Sequence, residues 1–197
     1  MKSPTRPITT EEYEQFLAEL YKQDESGRTI PTYKVELDDD PSLNPRTLSE
    51  KLKWVQAHKN RVVVIFNRAI SNESYWRKIV KRLNTKFKST YNKAMMNPDV
   101  RKEKSSDLRE SCAEITAGVE LVNALFDGKG TYEDNMIAAE GKHIDAQSFL
   151  NEVKNIYENL DSTDMNLARQ QKNVLICAKL YGEVLEDDRR SGIKIGE

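Results

Sequence analysis

Apolar residues recur at alternating intervals of four and three along two long stretches of the chain. The first stretch covers residues 48–94, and only Lys59 and Glu73 are charged among its fourteen seam positions. The second covers residues 149–184 with the same spacing. This spacing places one narrow apolar stripe on a helix and is typical of a coiled coil. It predicts two long helices that pack antiparallel as a hairpin.

Shorter patterns predict the remaining elements. Thr9 and Glu12 have the three-residue separation of a capping box, so a short helix is expected over 10–23. A further helix is predicted over 99–126, with a seam at Leu108, Cys112, Ile115, Val119, Val122 and Phe126. Gly128-Lys129-Gly130 is expected to end it. Between these elements the sequence predicts an acidic connection with at most a strand at 32–37, and a short helix at 135–140 followed by Gly141.

These elements define an all-α fold class, namely an elongated antiparallel helical hairpin or coiled coil with an additional helix and a short N-terminal helical arm. The predicted domains are an arm over 1–46, a helical coiled-coil domain over 47–187 and a polar tail over 188–197. Two alternatives remain open within the first long helix. The β-branched run 62–65 is also compatible with a buried strand, and residues 71–74 include Ser and Asn, which favour helix ends over helix interiors.

The net charge of −1 is a cancellation between segments of opposite sign. Residues 1–50 contain 6 basic and 11 acidic side chains, residues 51–104 contain 15 and 3, and residues 105–197 contain 10 and 18. A strongly basic segment in a near-neutral chain indicates either a polyanionic partner or pairing with acidic segments of the same protein.

Little in the sequence predicts catalysis. His58 and His143 are the only histidines, and neither has ligands at metal-binding spacing. Cys112 and Cys177 lie on apolar seams, where cysteine is usually a small apolar residue. No apolar run is long enough to span a membrane, and no secretory signal is visible. We therefore expect a non-enzymatic protein without cofactor or metal, located in the cytoplasm (of the host, if the source is viral).

The basic segment predicts a nucleic-acid interface. One line of residues that faces away from the seam has members seven positions apart, namely Trp54, Arg61, Arg68, Tyr75 and Arg82. Residues seven positions apart are about 10.5 Å apart along a helix. Cations hold phosphates, and exposed aromatic rings stack on unpaired bases. The expected phosphate ligands are Lys53, Arg61, Arg68, Lys78, Lys81, Arg82 and Lys88. The expected stacking residues are Trp54, Tyr75 and Tyr91. No motif that reads a groove of duplex DNA is present, which favours single strands.

The layout resembles the bacteriophage recombination mediators of the UvsY type. The similarity rests on residues 48–59 with Trp54, on the basic run 78–93, and on the amphipathic helix 149–184. The resemblance implies a homo-oligomer that binds single-stranded DNA and helps to load a recombinase while a single-strand binding protein is displaced. An acidic N-terminal arm and the segment 128–141 depart from that layout.

A second hypothesis assigns the chain a structural role. In a scaffolding coiled-coil protein, the basic helix would dock onto acidic helices of its own or a partner subunit. Lys59 and Glu73, the charged seam residues, would then fix the helix register through buried polar contacts.

Overall fold

The computed structural model describes residues 6–32 and 45–190, and its fold is all-α. The helices are α1 (Thr10–Leu20), α2 (Pro45–Met95), α3 (Pro98–Arg101), α4 (Ser106–Leu125) and α5 (Tyr132–Arg190). An antiparallel pair of strands, β1 (Tyr21–Gln23) and β2 (Thr29–Pro31), follows α1. None of the described helices combines the length and the apolar character that a membrane span requires.

Helix α2 confirms the first predicted helix over its whole length of 51 residues. Every one of its fourteen seam positions is buried or half-buried. The run 62–65 belongs to the helix, and residues 71–74 do not interrupt it. The Ser71 hydroxyl donates to the carbonyl of Asn67, which lies one turn earlier, so its polar group is satisfied within the helix.

Helix α5 is longer than predicted, because one continuous helix of 59 residues replaces the expected short helix and the helix that follows it. Gly141 does not end a helix. A glycine ends a helix most readily with a positive φ, and among described residues only Asp127 and Gly27, Gly128 and Gly130 have one. Gly128 and Gly130 lie between α4 and α5, where the sequence predicts the helix end.

The predicted helix 99–126 is divided, and half of its predicted seam is wrong. Cys112, Val122 and Phe126 are buried or half-buried as predicted. Residues 102–105 separate α3 from α4, and the Ser105 hydroxyl caps α4 by accepting from the backbone N–H of Leu108. Seam residues Leu108, Ile115 and Val119 are more than half exposed. The buried residues of α4 are Ala113, Ala117, Leu121 and Val122. The buried face of α4 therefore includes small alanine side chains, and the larger Ile115 and Val119 lie on an exposed face.

The N-terminal helix ends earlier than predicted, at Leu20, where the strand pair begins. The turn between the strands depends on Asp24, whose carboxylate accepts from the backbone N–H groups of Ser26 and Arg28 and from the Ser26 hydroxyl. These hydrogen bonds, that of the Ser26 hydroxyl first, lower the pKa of Asp24. The predicted strand at 32–37 is not observed at Thr32, and residues 33–37 lie outside the described residues.

The chain separates into two compact units. Unit 1 contains Met1–Thr9 and Asn67–Glu152, and unit 2 contains Thr10–Phe66 and Val153–Glu197. In unit 1, α2 and α5 are antiparallel neighbours, since Glu73 contacts His143 at 3.1 Å and the later Phe87 stacks on the earlier Tyr132 with centroids 4.6 Å apart. In unit 2, the same two helices are joined by stacking of Phe66 on Tyr157 at 5.5 Å. Each unit therefore has its own segment of the predicted hairpin.

Candidate nucleic-acid interface

Six of the seven predicted phosphate ligands are exposed on α2. They are Lys53, Arg61, Lys78, Lys81, Arg82 and Lys88. Within the described part of the chain, none of the six has a carboxylate at ion-pair distance.

Arg68, the seventh, does not lie on an exposed surface. Its side chain is buried in unit 1, and its guanidinium donates to the backbone carbonyls of Arg6 and Pro7 at 2.7 and 2.9 Å. The neighbouring Asn72 accepts from the backbone N–H of Ile8 at 2.9 Å. Arg68 thus fixes the segment that precedes α1, and the prediction that it holds a phosphate from an exposed strip is wrong. The seven-residue spacing contains no information about a segment sixty residues away.

The three predicted stacking residues differ in exposure. In unit 2, Trp54 is 40% exposed and packs edge-on against the ring of His58, with centroids 3.9 Å apart. Burial, and secondarily the charge of Arg61, lowers the pKa of His58 below 6.5. In unit 1, Tyr75 is half-buried and edge-on to Trp76 at 5.3 Å.

Tyr91 contributes to the core of unit 1. It packs with Met95 and Cys112 against a buried cluster of Ala94, Val100 and Ala113. Its ring is half-buried, since α3 and α4 return to cover this end of α2. This packing occupies part of the ring, and the stacking role expected of Tyr91 stays a prediction.

The two charged seam residues have partners on α5. In unit 2, Lys59 Nζ forms ion pairs with Asp161 and with Asp164, the latter at 3.1 Å. Hydrogen bonding to Asp161 is the largest cause of the raised pKa of Lys59. In unit 1, His143 Nε2 lies 3.1 Å from the carboxylate of Glu73. Both contacts have the geometry that the scaffolding hypothesis requires of seam charges.

A cleft of about 350 Å³ in unit 1 brings together two aromatic rings, one of them Trp76, and three cations. Its cations are Arg82 and Lys86 from α2 and Lys142 from α5, and Lys142 Nζ lies 5.4 Å from the ring centroid of Trp76. The other lining residues are Ile79, Leu83, Leu125, Phe126, Asn135, Ala138 and Ala139. No carboxylate is among the described residues that line the cleft. It therefore combines an apolar floor with a positive rim.

The sequence alone did not reveal this cleft. Trp76 occupies a seam position and is expected to be core, whereas it is half-buried and faces the cleft. The charge pattern does not point to Lys142, because this residue lies outside the basic segment 51–104. Asn135, Ala138, Ala139 and Lys142 follow one face of a helix, and this spacing is the signal that could have identified their shared surface.

An apolar floor with a cationic rim suits a ligand that has both a flat apolar part and a negative charge, as a nucleotide of a single strand does. Among the described residues, no group of three or more His, Cys, Asp or Glu side chains is placed to bind a metal ion. Comparisons of the chain with family models, with curated proteins and with solved structures yield no match.

Proposed function

We propose that this protein binds single-stranded nucleic acid without catalysing a reaction, and that the cleft around Trp76 is the centre of its binding surface. The observation that supports this most is that Arg82, Lys86 and Lys142 line one cleft together with Trp76, without a carboxylate among the described lining residues. The cations at the rim of the cleft attract the phosphates of a single-stranded nucleic acid. The apolar floor of the cleft accommodates the bases.

Further cations of unit 1 extend the surface along α2. Lys78 and Lys81 lie four residues and one residue before Arg82, and Lys88 lies six residues after it. All three side chains are exposed. Trp54 with Lys53 and Arg61 forms a second basic and aromatic surface, in unit 2. Each surface is suited to a few nucleotides by itself, since stacking and phosphate contacts are sequence-tolerant.

The finer proposal is a role as a recombination or replication mediator that forms homo-oligomers and acts beside a recombinase or single-strand binding protein. It rests on the resemblance in layout to mediators of the UvsY type. The structure supports this proposal because α2, which contains the basic run of that layout, is one continuous helix with exposed cations.

Fluorescence anisotropy of a labelled 20-nucleotide oligo-dT tests binding directly. We expect binding at 50 mM salt that weakens markedly at 200 mM, because phosphate contacts release counterions. A duplex of the same length is expected to bind more weakly, since its bases are unavailable for stacking. Equal affinity for both forms would remove the single-strand preference, and no binding at 50 mM salt would contradict the proposed function.

The second candidate function is a structural coiled-coil scaffold, which the contacts of Lys59 and Glu73 favour. Both residues place a charge at a seam and pair it across to α5. Polar pairs at seam positions commonly select one helix register. A chain that leaves oligo-dT unbound at low salt supports this function instead.

A further inference from the structure

Unit 1 has a second concave surface, a groove between α4 and the first turns of α5. Its volume is about 840 Å³, and its walls include Ile115, Val119 and Ile137, which are 68, 57 and 60% exposed. Phe87 and Tyr132 form part of its floor. Exposed apolar side chains that line a groove are characteristic of a site for an amphipathic helix.

The charge of this groove is opposite to that of the cleft around Trp76. Glu114, Glu133 and Glu140 line it, and no Lys or Arg is among the described residues that do so. Burial, and secondarily the charge of Glu140, raises the pKa of Tyr132 in its floor. The groove therefore repels a polyanion and favours a partner that is both apolar and basic.

The chain itself provides such a helix in unit 2, on the later part of α5. Leu175, Ile176 and Leu180 are 55, 45 and 56% exposed. Lys172 and Lys179 lie on the same helical face, since positions 172, 175, 176, 179 and 180 follow the three-four spacing. Residues 165–180 contain three basic side chains, including Arg169, and no acidic one. We call this surface the basic stripe.

We propose that the basic stripe of one copy docks in the acidic groove of a second copy. The apolar residues of the stripe would cover those of the groove, and its cations would face the three glutamates. A second copy is the occupant because every copy carries both surfaces, and the cations and exposed apolar side chains of the stripe complement the acidic, apolar lining of the groove. The proposed association is independent of nucleic acid.

Paired charge reversal tests this contact by sedimentation velocity without nucleic acid. A groove variant carries Glu114→Lys, Glu133→Lys and Glu140→Lys, and a stripe variant carries Arg169→Glu, Lys172→Glu and Lys179→Glu. We expect the unaltered chain to associate at tens of micromolar, and each variant alone to sediment as a monomer. An equimolar mixture of the two is expected to associate again, because every groove then meets a stripe of opposite charge.

A matched control reverses three exposed glutamates outside the groove, Glu11→Lys, Glu14→Lys and Glu25→Lys, and is expected to associate as the unaltered chain does. Circular dichroism verifies that each variant keeps its helical content. An unaltered chain that stays monomeric at 100 µM overturns the proposal, as does a mixture of folded variants that fails to associate. Loss of association in the control variant would also overturn the proposal. The change in net charge, and not the loss of this contact, would then explain why the variants do not associate.

Discussion

Replacing Arg82, Lys86 and Lys142 together by alanine is expected to weaken oligo-dT binding about 100-fold. In the proposed function each of these lining cations holds one phosphate, and three contacts of roughly 1 kcal/mol each amount to about two orders of magnitude. The logarithmic dependence of affinity on salt is also expected to flatten by about 2, since each phosphate contact to a single strand contributes roughly 0.7. Anisotropy titrations at four salt concentrations measure both quantities.

The control for this variant removes the same charge elsewhere. Lys22, Arg101 and Lys104 are exposed and lie outside the cleft. Their replacement by alanine is expected to change oligo-dT affinity less than about threefold, through the long-range field alone. Equal losses in the two triple variants would show that net charge determines binding, and the cleft would lose its assigned role.

Replacing Arg68 by methionine is expected to lower the free energy of unfolding by about 3 kcal/mol. The guanidinium makes two charge-assisted hydrogen bonds to backbone carbonyls, and each contributes roughly 1.5 kcal/mol. Methionine fills similar volume but cannot donate, so the carbonyls of Arg6 and Pro7 lose their buried partner. Urea denaturation followed by circular dichroism measures the change.

Arg61 provides the matched control, because it lies seven residues earlier on the same helix and is exposed. Arg61→Met is expected to change the stability by no more than about 0.5 kcal/mol. The structural assignment of Arg68 is wrong if Arg68→Met is as stable as Arg61→Met and binds oligo-dT more weakly than the unaltered chain does. Arg68 would then contact phosphate.

The long helices are predictable from the sequence because a heptad seam is a local property. Each of the fourteen positions from Leu48 to Ala94 has its apolar neighbours within four residues, and all fourteen are buried or half-buried. The two charged seam residues, Lys59 and Glu73, also face the neighbouring helix, since each contacts a partner on α5. The exposed cations of α2 are predictable for the same reason, as they lie opposite the seam.

What the sequence does not predict depends on contacts between distant residues. Arg68 has the spacing of an exposed cation and becomes buried because the segment at residues 6–8 packs against it. In α4, Ala113 and Ala117 are buried in place of Ile115 and Val119, so the size of a side chain alone does not identify the buried face. The cleft combines Lys142 with Arg82 across sixty residues of sequence.

Tryptophan fluorescence tests the central claim, that single-stranded nucleic acid binds at the cleft around Trp76. The chain has two tryptophans, so in a Trp54→Phe variant all tryptophan emission arises from Trp76. Saturating oligo-dT is expected to quench that emission, with a midpoint that matches the anisotropy titration and moves to higher concentration as salt is added. Emission that stays unchanged while the labelled oligonucleotide binds would place the nucleic acid elsewhere and contradict the account.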